Sequence, residues 1–325
     1  MKLLVTGGCG FIGSNFINFY YKQNPACKIF NIDALYYCAD LNNVHETIRK
    51  DNGRYFFTEM NLAEGDLFSY VQHNEITHVI HFAAQSHVQN SFNESIQYTK
   101  DNVLGTHRLL EACRLYGRLE KFIHVSTDEV YGESMIQEGE QKKTEESVLC
   151  PTNPYAATKA GAELIAQAYY YSFKMPIIIT RGNNVYGPNQ YPEKLIPRFI
   201  NLLKQGKKAT IQGDGSHVRA FLHVYDVCEG FRLILERGKI GEIYNIGSDD
   251  HSERTVRKVA ETLIKMIRKT EAYDEWIEFV EDRPYNDKRY YISNDKLKKL
   301  GWKISVDFSD GLKELIILRE NVAIS

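Results

Sequence analysis

Three side chains that can take part in acid–base chemistry follow one short apolar run. The run spans 122–125, and Thr127, Asp128 and Glu129 come just after it. In an open α/β sheet, ligands bind outside the carboxyl ends of the strands, so a buried strand that ends in a hydroxyl and two carboxyls predicts a chemical site. A surface turn that carries two solvated acids is the alternative interpretation.

A tyrosine and a lysine four residues apart form the second chemical feature. On a helix, Tyr155 and Lys159 lie one turn apart on the same face. A neighbouring cation favours the phenolate and so lowers the pKa of the phenol, which produces a general base usable near neutral pH. Tyr170 and Lys174 share this spacing, but Pro154 places Tyr155 in the first turn of its helix, near the strand ends.

A glycine-rich loop near the N-terminus predicts a phosphate-binding turn. It follows a predicted strand at 2–6 and opens a predicted helix that runs to about Tyr21. Gly8, Gly10 and Gly13 fit the pattern G-x-G-x-x-G, in which glycines let the backbone turn tightly and approach a pyrophosphate. The free N–H groups at the helix N-terminus would then face the phosphates.

An aspartate ends the second predicted strand, which spans 28–32. The carboxylate of Asp33 can accept hydrogen bonds from both ribose hydroxyls of adenosine and would repel a 2′-phosphate. Strand, glycine loop, helix and acid in this order predict a dinucleotide site and favour NAD over NADP. The alternative is a tight turn between strand and helix with an incidental aspartate.

The alternation of strands and helices predicts the fold class. Further strands are predicted at 54–58, 77–82, 121–126 and 176–180, and further helices at 66–73, 95–116, 154–173, 255–269 and 309–321. Six strands that alternate with helices indicate an α/β fold with a Rossmann-type, doubly wound parallel sheet. The loop-rich remainder predicts a smaller, mixed α/β C-terminal substrate domain. We expect an NAD-binding domain at 1–182, with 220–247 interleaved into it, and a substrate-binding domain at 183–325.

The composition argues against several classes of protein. Of the 325 residues, 43% are hydrophobic and 25% are charged, and the net charge of -2 gives no basic field for nucleic acid. No apolar run approaches the roughly 20 residues that span a membrane. The six cysteines are scattered, with no Cys-x-x-Cys pair. We therefore expect reduced thiols in the cytoplasm and neither a metal site nor a disulfide framework.

Several motifs together resemble one enzyme family. They are Thr6-Gly7-Gly8-Cys9-Gly10-Phe11-Ile12-Gly13-Ser14, Ala83-Ala84-Gln85-Ser86-His87-Val88, Ser126-Thr127-Asp128-Glu129-Val130-Tyr131-Gly132, Tyr155-Ala156-Ala157-Thr158-Lys159, Asn184 with Tyr186-Gly187-Pro188, Pro192-Glu193-Lys194-Leu195-Ile196-Pro197, and Gly213-Asp214-Gly215 with Arg219. Over nearly its whole length the chain resembles the nucleotide-sugar 4,6-dehydratases that act on dTDP-glucose or UDP-glucose, within the extended short-chain dehydrogenase/reductases. The glycine loop and Tyr-x-x-x-Lys mark only the superfamily, whereas Thr-Asp-Glu with Pro-Glu-Lys-Leu-Ile-Pro is much more specific.

The resemblance implies an NAD-dependent hydro-lyase reaction on an NDP-glucose. Tyr155, its pKa lowered by Lys159 and by the nicotinamide charge, would take the proton of the glucose 4-hydroxyl while hydride passes from C4 to NAD+. Thr127 would hydrogen-bond that hydroxyl. Glu129 would then remove the C5 proton, and Asp128 would protonate the departing 6-hydroxyl. Return of hydride to C6 would give water and NDP-4-keto-6-deoxyglucose for rhamnose-type deoxysugar biosynthesis.

The resemblance also implies which residues bind the cofactor and the substrate. For NAD these are Gly7, Gly10, Phe11, Ile12, Gly13, Asp33, Asn61, Leu62, Ala83, Ala84, Ser86, Tyr155 and Lys159. For the nucleotide sugar they are Ser86, His87, Thr127, Asn184, Lys194, Leu195, Arg219, Asn245 and Arg283. From the residues alone, Lys194, Arg219 and Arg283 would suit an anionic ligand, with surface ion pairing as the alternative.

Some positions depart from the family pattern. Gln85 stands where many bacterial dTDP enzymes have Glu, Val185 replaces an Asn that often faces the cofactor, and Asn61 sits where an Asp often meets the adenine. The stretch 284–287 replaces a Pro-Gly-His-Asp sequence. These departures weaken the transfer of base specificity rather than of the reaction. The sequence leaves open whether uracil or thymine is preferred and which pathway takes the keto sugar.

Other functions on this fold are weighed against the same residues. A UDP-hexose 4-epimerase or UDP-glucuronate decarboxylase shares Tyr-x-x-x-Lys but lacks the Asp-Glu doublet in this form. A GDP-mannose 4,6-dehydratase usually takes NADP, against which Asp33 argues. A non-catalytic NAD(H)-binding regulator would not need Thr127, Tyr155 and Lys159 together.

The family habit and an alanine-rich helix face predict an assembly. We expect a homodimer joined through the predicted helices at 95–116 and 154–173.

Overall fold

The computed structural model describes residues 1–137, 139–282 and 285–319. The strands of these residues are β1 (Lys2–Thr6), β2 (Lys28–Asp33), β3 (Tyr55–Glu59), β4 (His78–His81), β5 (Lys121–Thr127), β6 (Ile177–Gly182), β7 (Asn184–Tyr186), β8 (Ala209–Gln212), β9 (Val218–His223), β10 (Ile243–Ile246), β11 (Glu253–Thr255) and β12 (Ile277–Val280). The helices are α1 (Phe11–Gln23), α2 (Glu46–Arg49), α3 (Leu67–His73), α4 (Val88–Asn93), α5 (Ser95–Tyr98), α6 (Gly105–Tyr116), α7 (Pro154–Phe173), α8 (Leu195–Lys204), α9 (Val224–Arg237), α10 (Val256–Arg268), α11 (Asp295–Lys298) and α12 (Phe308–Leu318).

The largest sheet contains seven strands in the order β3-β2-β1-β4-β5-β6-β10, and every pair in it is parallel. The predicted Rossmann-type, doubly wound sheet is therefore confirmed. The sequence predicts six strands that alternate with helices and a further short strand and turn at 244–247. This short strand is β10, which is four residues long and pairs with β6, with Tyr244 opposite Thr180.

Alternate side chains of the strands pack on opposite faces of this sheet. Leu3 and Val5 of β1 join the core that includes Phe16 of α1 and Phe231 of α9. Leu4 joins the core formed with α3, α6 and α7. Full burial of each such side chain contributes about 1.5–3 kcal/mol, so mainly apolar runs form the central strands, with the buried His124 of β5 as a polar exception. Helices on both faces hold the carboxyl ends of the strands in fixed positions.

The strand order reverses beside β1. From β1 the chain proceeds to β2 and β3 on one side, whereas β4, β5 and β6 lie on the other. Crevices at such a switch point are where ligands bind in open α/β sheets. The glycine loop after β1, the end of β2 and the end of β5 all meet at this edge.

The later part of the chain forms two small sheets and a third core. The first sheet has the order β11-β9-β7 with one antiparallel and one parallel pair, and the second pairs β12 with β8. Phe199 of α8, Leu263 of α10 and Leu312 of α12 are buried together beneath them. This agrees with the predicted smaller, mixed α/β substrate part. The boundary between domains at 182 stays a prediction.

Two helices differ from the sequence-based prediction. The single helix predicted at 95–116 consists of three consecutive segments. These are α5, a π-helical stretch at Thr99–Leu104, and α6. Such π-helical turns occur frequently at functional sites. The closing helix predicted at 309–321 is α12, which ends at Leu318, and residues 320 and 321 lie outside the described residues.

In the part of the chain that the structure describes, no helix has the length and apolar character needed to cross a membrane.

Candidate active site

The three polar residues at the end of β5 lie together in one cleft. A 3-10 helix, Asp128–Tyr131, begins directly after Thr127. The Thr127 hydroxyl caps this turn because it accepts from the Glu129 N–H at 3.3 Å, and it donates to Asp128 Oδ1 at 3.2 Å. The cap turns the backbone so that both carboxyls line the same large cavity.

Asp128 is held in an environment that favours its protonated form. The Asn183 side-chain amide donates to Asp128 Oδ2 at 2.6 Å. Burial, and then the charge of Glu129, raise the pKa of the Asp128 carboxyl to about 7. The group can therefore carry a proton at neutral pH and act as an acid.

Glu129 has different neighbours. Its Oε2 accepts from the Asn153 side-chain amide at 3.0 Å and lies 3.3 Å from the Tyr290 hydroxyl, which donates to Asp287 Oδ2 at 2.5 Å. Burial and the charge of Asp287 raise the pKa of Glu129, whereas the Asn153 donor and the nearby cations Arg219 and Lys194 oppose that rise. Two adjacent carboxyls with different partners can hold different protonation states, as paired acid and base require.

Tyr155 lies at the start of α7, beside these acids. The Asn153 Oδ1 accepts from the Ala156 N–H at 2.9 Å and so caps the helix. Lys159, one turn later, donates from Nζ to the Val125 carbonyl at 2.6 Å. The local motif thus brings both Tyr155 and Lys159 into the cavity, as the sequence predicts.

The predicted direction of the Tyr155 pKa is wrong for this chain by itself. Burial, followed by the charge of Glu129, raises the pKa of the phenol well above its usual range, while a hydrogen bond with Thr127 lowers it. Lys159 is itself desolvated, and burial lowers its pKa to about 8. The Tyr-x-x-x-Lys spacing carries no information on either burial or the neighbouring acid, which explains the error.

The glycine loop forms a close-packed cradle. Gly7 has a φ of 71°, and a Cβ on it would lie 2.7 Å from the Ala83 Cα. A Cβ on Gly13 would lie 2.3 Å from the Gly7 carbonyl oxygen. Only glycine therefore fits at these two positions of the loop without displacing its backbone. At the end of β2, the two carboxylate oxygens of Asp33 accept from the Cys9 and Leu35 N–H groups, both at 2.9 Å.

One cavity of about 710 Å³ contains almost the whole predicted site. The predicted residues that line it are Gly7, Gly10, Phe11, Ile12, Gly13, Asp33, Asn61, Leu62, Ala83, Ala84, Ser86, His87, Thr127, Asp128, Glu129, Tyr155, Lys159, Asn184, Lys194, Leu195 and Arg219. Arg283 lies outside the described residues.

Asn245 is the predicted substrate contact that the structure does not bring to the cavity. Its side chain is fully buried, and its Oδ1 accepts from the Tyr131 hydroxyl at 2.8 Å. Its N–H donates to Glu145 Oε1 at 2.9 Å. These contacts belong to a buried network in which Arg181 also donates to the Tyr131 hydroxyl at 2.6 Å. We correct the expectation accordingly: Asn245 holds the wall behind the acids.

Two cations mark the far part of the cavity. The guanidinium carbon of Arg219 lies 5.0 Å from the centre of the Tyr290 ring. Lys194 donates from Nζ to the Ser86 carbonyl at 3.0 Å. Both line the cavity, so an anionic ligand that enters here would have two cations to pair with.

Three residues of the site were missed by sequence reasoning. Asn153 carried a usable signal, because an asparagine before a proline-initiated helix is a preferred N-cap. Asn183 and Tyr290 carried none, since each approaches the acids from a segment distant in the sequence.

A dinucleotide-type glycine cradle that meets a Tyr-x-x-x-Lys pair at the switch point of a parallel sheet defines a class. The chain is an extended short-chain dehydrogenase/reductase. Its closer relationship follows from comparison with known proteins.

A family model described as GDP-mannose 4,6 dehydratase matches residues 4–315. The chain is 43% identical to the human dTDP-D-glucose 4,6-dehydratase, over 97% of this chain and 89% of that one. The crystal structure of DesIV, a dTDP-glucose 4,6-dehydratase from Streptomyces venezuelae with NAD and TYD bound, matches with a TM-score of 0.91 and 37% identity, over 99% and 98% of the two chains. The chain therefore belongs to the nucleotide-sugar 4,6-dehydratase family.

A plant relative is longer. The trifunctional UDP-glucose 4,6-dehydratase/UDP-4-keto-6-deoxy-D-glucose 3,5-epimerase/UDP-4-keto-L-rhamnose-reductase RHM2 of Arabidopsis thaliana is 48% identical over 96% of this chain. This chain spans 46% of that relative, which is about half of its length.

Proposed function

We propose that the chain is an NAD-dependent hydro-lyase that converts dTDP-glucose or UDP-glucose into the 4-keto-6-deoxy sugar and water. The observation that carries this proposal is the grouping of Thr127, Asp128, Glu129 and Tyr155 on one cavity wall. A plain oxidoreductase needs the phenol and the lysine. Two buried acids with different partners add the means to remove one proton and to supply another.

The residues present fit NAD as the cofactor. The cradle formed by Gly7 and Gly13 has no room for a Cβ, which suits the close approach of a pyrophosphate. The buried Asp33 carboxylate would accept the ribose hydroxyls and oppose a 2′-phosphate. When bound, NAD+ would supply a hydride acceptor for the sugar and would later return the hydride.

The side chains of this chain divide the proton transfers among them. Tyr155 removes the proton of the hexose 4-hydroxyl, with Thr127 hydrogen-bonded to the same oxygen. The resulting ketone acidifies the C5 proton, which Glu129 removes and would return to C5 when hydride passes to C6. Asp128, protonated near neutral pH because of its raised pKa, gives its proton to the departing 6-hydroxyl. Lys159 stabilises the phenolate.

The test is product formation from two donors. The purified chain, loaded with NAD+, is incubated with dTDP-glucose and in parallel with UDP-glucose, and each product is identified by mass and by its keto group. We expect loss of one water from at least one donor and no product with Tyr155→Phe. Absence of a dehydrated product from both donors would refute the proposed reaction, and the ratio of kcat/KM for the two donors would give the base preference.

We further propose a homodimer in the cytoplasm, with the nucleotide sugar bound by the domain at 183–325. Exposed apolar side chains on α5 and α7 support the dimer, because Ile96 is 83% exposed and Leu164 is 55% exposed. All six cysteines are free thiols, which suits a reducing compartment. Rhamnose-type deoxysugar synthesis would consume the keto product.

A further inference from the structure

Two consecutive residues of the π-helical stretch hold Gln85, which precedes the predicted sugar contacts Ser86 and His87. Asn102 holds its backbone: the Gln85 N–H donates to Asn102 Oδ1 at 2.7 Å, and the Asn102 amide donates to the Gln85 carbonyl at 3.0 Å. Asp101 holds its side chain, because Gln85 Nε2 donates to Asp101 Oδ2 at 3.0 Å. We call residues 83–87 the substrate loop.

The same two residues connect this loop to other parts of the site. The Asn102 amide also donates to the Thr158 hydroxyl at 2.9 Å, next to Lys159 on α7. On the other side of Asp101, Oδ1 lies 3.5 Å from the Tyr36 hydroxyl. Asp101 and Tyr36 both line the cavity. Through Asn102, the substrate loop is therefore connected to α7, which carries Lys159. Through Asp101, it is connected to Tyr36, which follows β2.

The contact between Gln85 and Asp101 explains why position 85 carries an amide rather than a carboxylate. Asp101 offers a carboxylate, which accepts a strong charge-assisted hydrogen bond from a neutral amide. A carboxylate at position 85 would instead face the Asp101 oxygen across the same short distance, and two like charges there repel.

We propose that Asp101 and Gln85 form a positioning pair that sets the substrate loop for binding of the hexose portion of the substrate. Neither side chain takes part in the proton transfers. The proposal rests on the proposed function for the identity of the sugar, but the contact itself does not depend on turnover. Its measurable consequence is in sugar affinity rather than in the rate of the chemical steps.

The test compares Gln85→Glu, the double variant Gln85→Glu/Asp101→Asn, and Gln72→Glu as a control. Gln72 is an exposed glutamine on α3 and does not line the cavity. The Kd for dTDP-glucose and for UDP-glucose is measured calorimetrically with each variant in a Tyr155→Phe background, where the sugar is not turned over. KM and kcat are measured for the same variants with Tyr155 intact.

We expect Gln85→Glu to raise Kd and KM about tenfold with kcat within about threefold of the parent, because the like-charge pair displaces the loop. The double variant restores one acid facing one amide and should return Kd to within about threefold of the parent. The control Gln72→Glu should stay within the same range. An unchanged Kd in Gln85→Glu would overturn the proposal, as would a double variant no better than Gln85→Glu.

This design distinguishes failure of the positioning pair from failure of the proposed function. If Gln85→Glu does not fold, as judged by its thermal transition, Asp101→Ala takes its place, and it should weaken sugar binding about tenfold through loss of the charged acceptor. An unchanged Kd in that variant would also overturn the pair. If the parent binds the sugars but forms no dehydrated product, the proposed function fails while the Kd comparison still decides the role of the pair.

Discussion

At the scale of single residues, the central feature is that two neighbouring carboxyls have unlike surroundings. Asp128 accepts a hydrogen bond from Asn183 and carries a pKa raised to about 7, while Glu129 accepts a hydrogen bond from Asn153. The charge of Glu129 helps to raise the pKa of Asp128, so Asp128 is protonated more readily while Glu129 is ionised. This supports the proposed roles, with Asp128 as the acid and Glu129 as the base.

The first prediction concerns the base. Glu129→Gln should still permit hydride transfer to NAD+ but slow the elimination by a factor of roughly 100 to 10,000. The pKa of Tyr155 should also fall, since the Glu129 charge raises it. Rapid-mixing absorbance should show NADH that accumulates without dehydrated product. Glu120→Gln, at a side chain that is 65% exposed, is the control and should behave as the parent. Full turnover by Glu129→Gln would contradict the assignment.

The second prediction concerns stability and pH. Burial raises the folded-state pKa of Asp128 from 3.8 to about 7, so the folded chain binds this proton more tightly than the unfolded chain does. The free energy of unfolding therefore falls as the pH rises from about 4 to about 7. Asp128→Asn removes this titration and should raise the free energy of unfolding at pH 8 by up to about 4 kcal/mol, with little change at pH 4.

Urea unfolding of the parent and of Asp128→Asn at the two pH values measures this difference. Gln72→Asn, at an exposed side chain that does not titrate, is the control and should change the free energy of unfolding equally at both. A gain for Asp128→Asn that is the same at both pH values would show that burial does not perturb this group.

Local sequence was sufficient to locate the chemical side chains but not to describe their environment. Thr127, Asp128 and Glu129 were found from a strand that ends in polar residues. Their partners were not, because Asn183 and Tyr290 reach them only through tertiary packing. The same limit explains why Asn245 was expected in the cavity although its side chain is buried outside it.

At the scale of secondary-structure elements, α7 joins helix stability to catalysis. Both polar atoms of the Asn153 side chain form hydrogen bonds: Oδ1 accepts from the Ala156 N–H, and Nδ2 donates to Glu129. The N-cap residue Asn153 therefore also positions Glu129, the proposed base.

The third prediction separates these two roles. Asn153→Ala removes the cap and the contact with Glu129, and it should lower the free energy of unfolding by about 1 kcal/mol. Asn153→Ser keeps a capping oxygen, so it should recover most of this stability but not the donor to Glu129. Both variants should therefore show slowed elimination, measured as in the Glu129→Gln experiment. Equal loss of stability in the two variants would refute the capping role.

Elements with a strong local signal were predicted closely. β1 and α7 have the predicted bounds, since an unbroken apolar run and a Pro-initiated helix are both local patterns. The strands of the small sheets were not predicted as sheets. β7 and β11 are three residues long, and their pairing with β9 is decided by the core beneath them rather than by their own sequence. The π-helical stretch carried no local signal.

At the scale of the whole molecule, the exposed apolar side chains of α5 and α7 support the proposed homodimer. The fourth prediction is that Leu164→Lys shifts the sedimentation coefficient at micromolar concentration from that of a dimer to that of a monomer, because a charge is placed in an apolar interface. Ile240→Lys, at a residue that is 42% exposed and outside these helices, should leave the dimer intact. A parent chain that sediments only as a monomer would contradict the proposed assembly.

The fate of one hydrogen atom tests the central claim most directly. If the phenol and the two acids act on one hexose held beside NAD, the hydrogen removed from C4 returns to C6 of the same sugar. We predict that dTDP-glucose or UDP-glucose with deuterium at C4, incubated in ordinary water, gives a 4-keto-6-deoxy product with deuterium on the C6 methyl group. A product whose C6 carries no deuterium, or a sugar recovered with only its C4 configuration changed, would contradict this account.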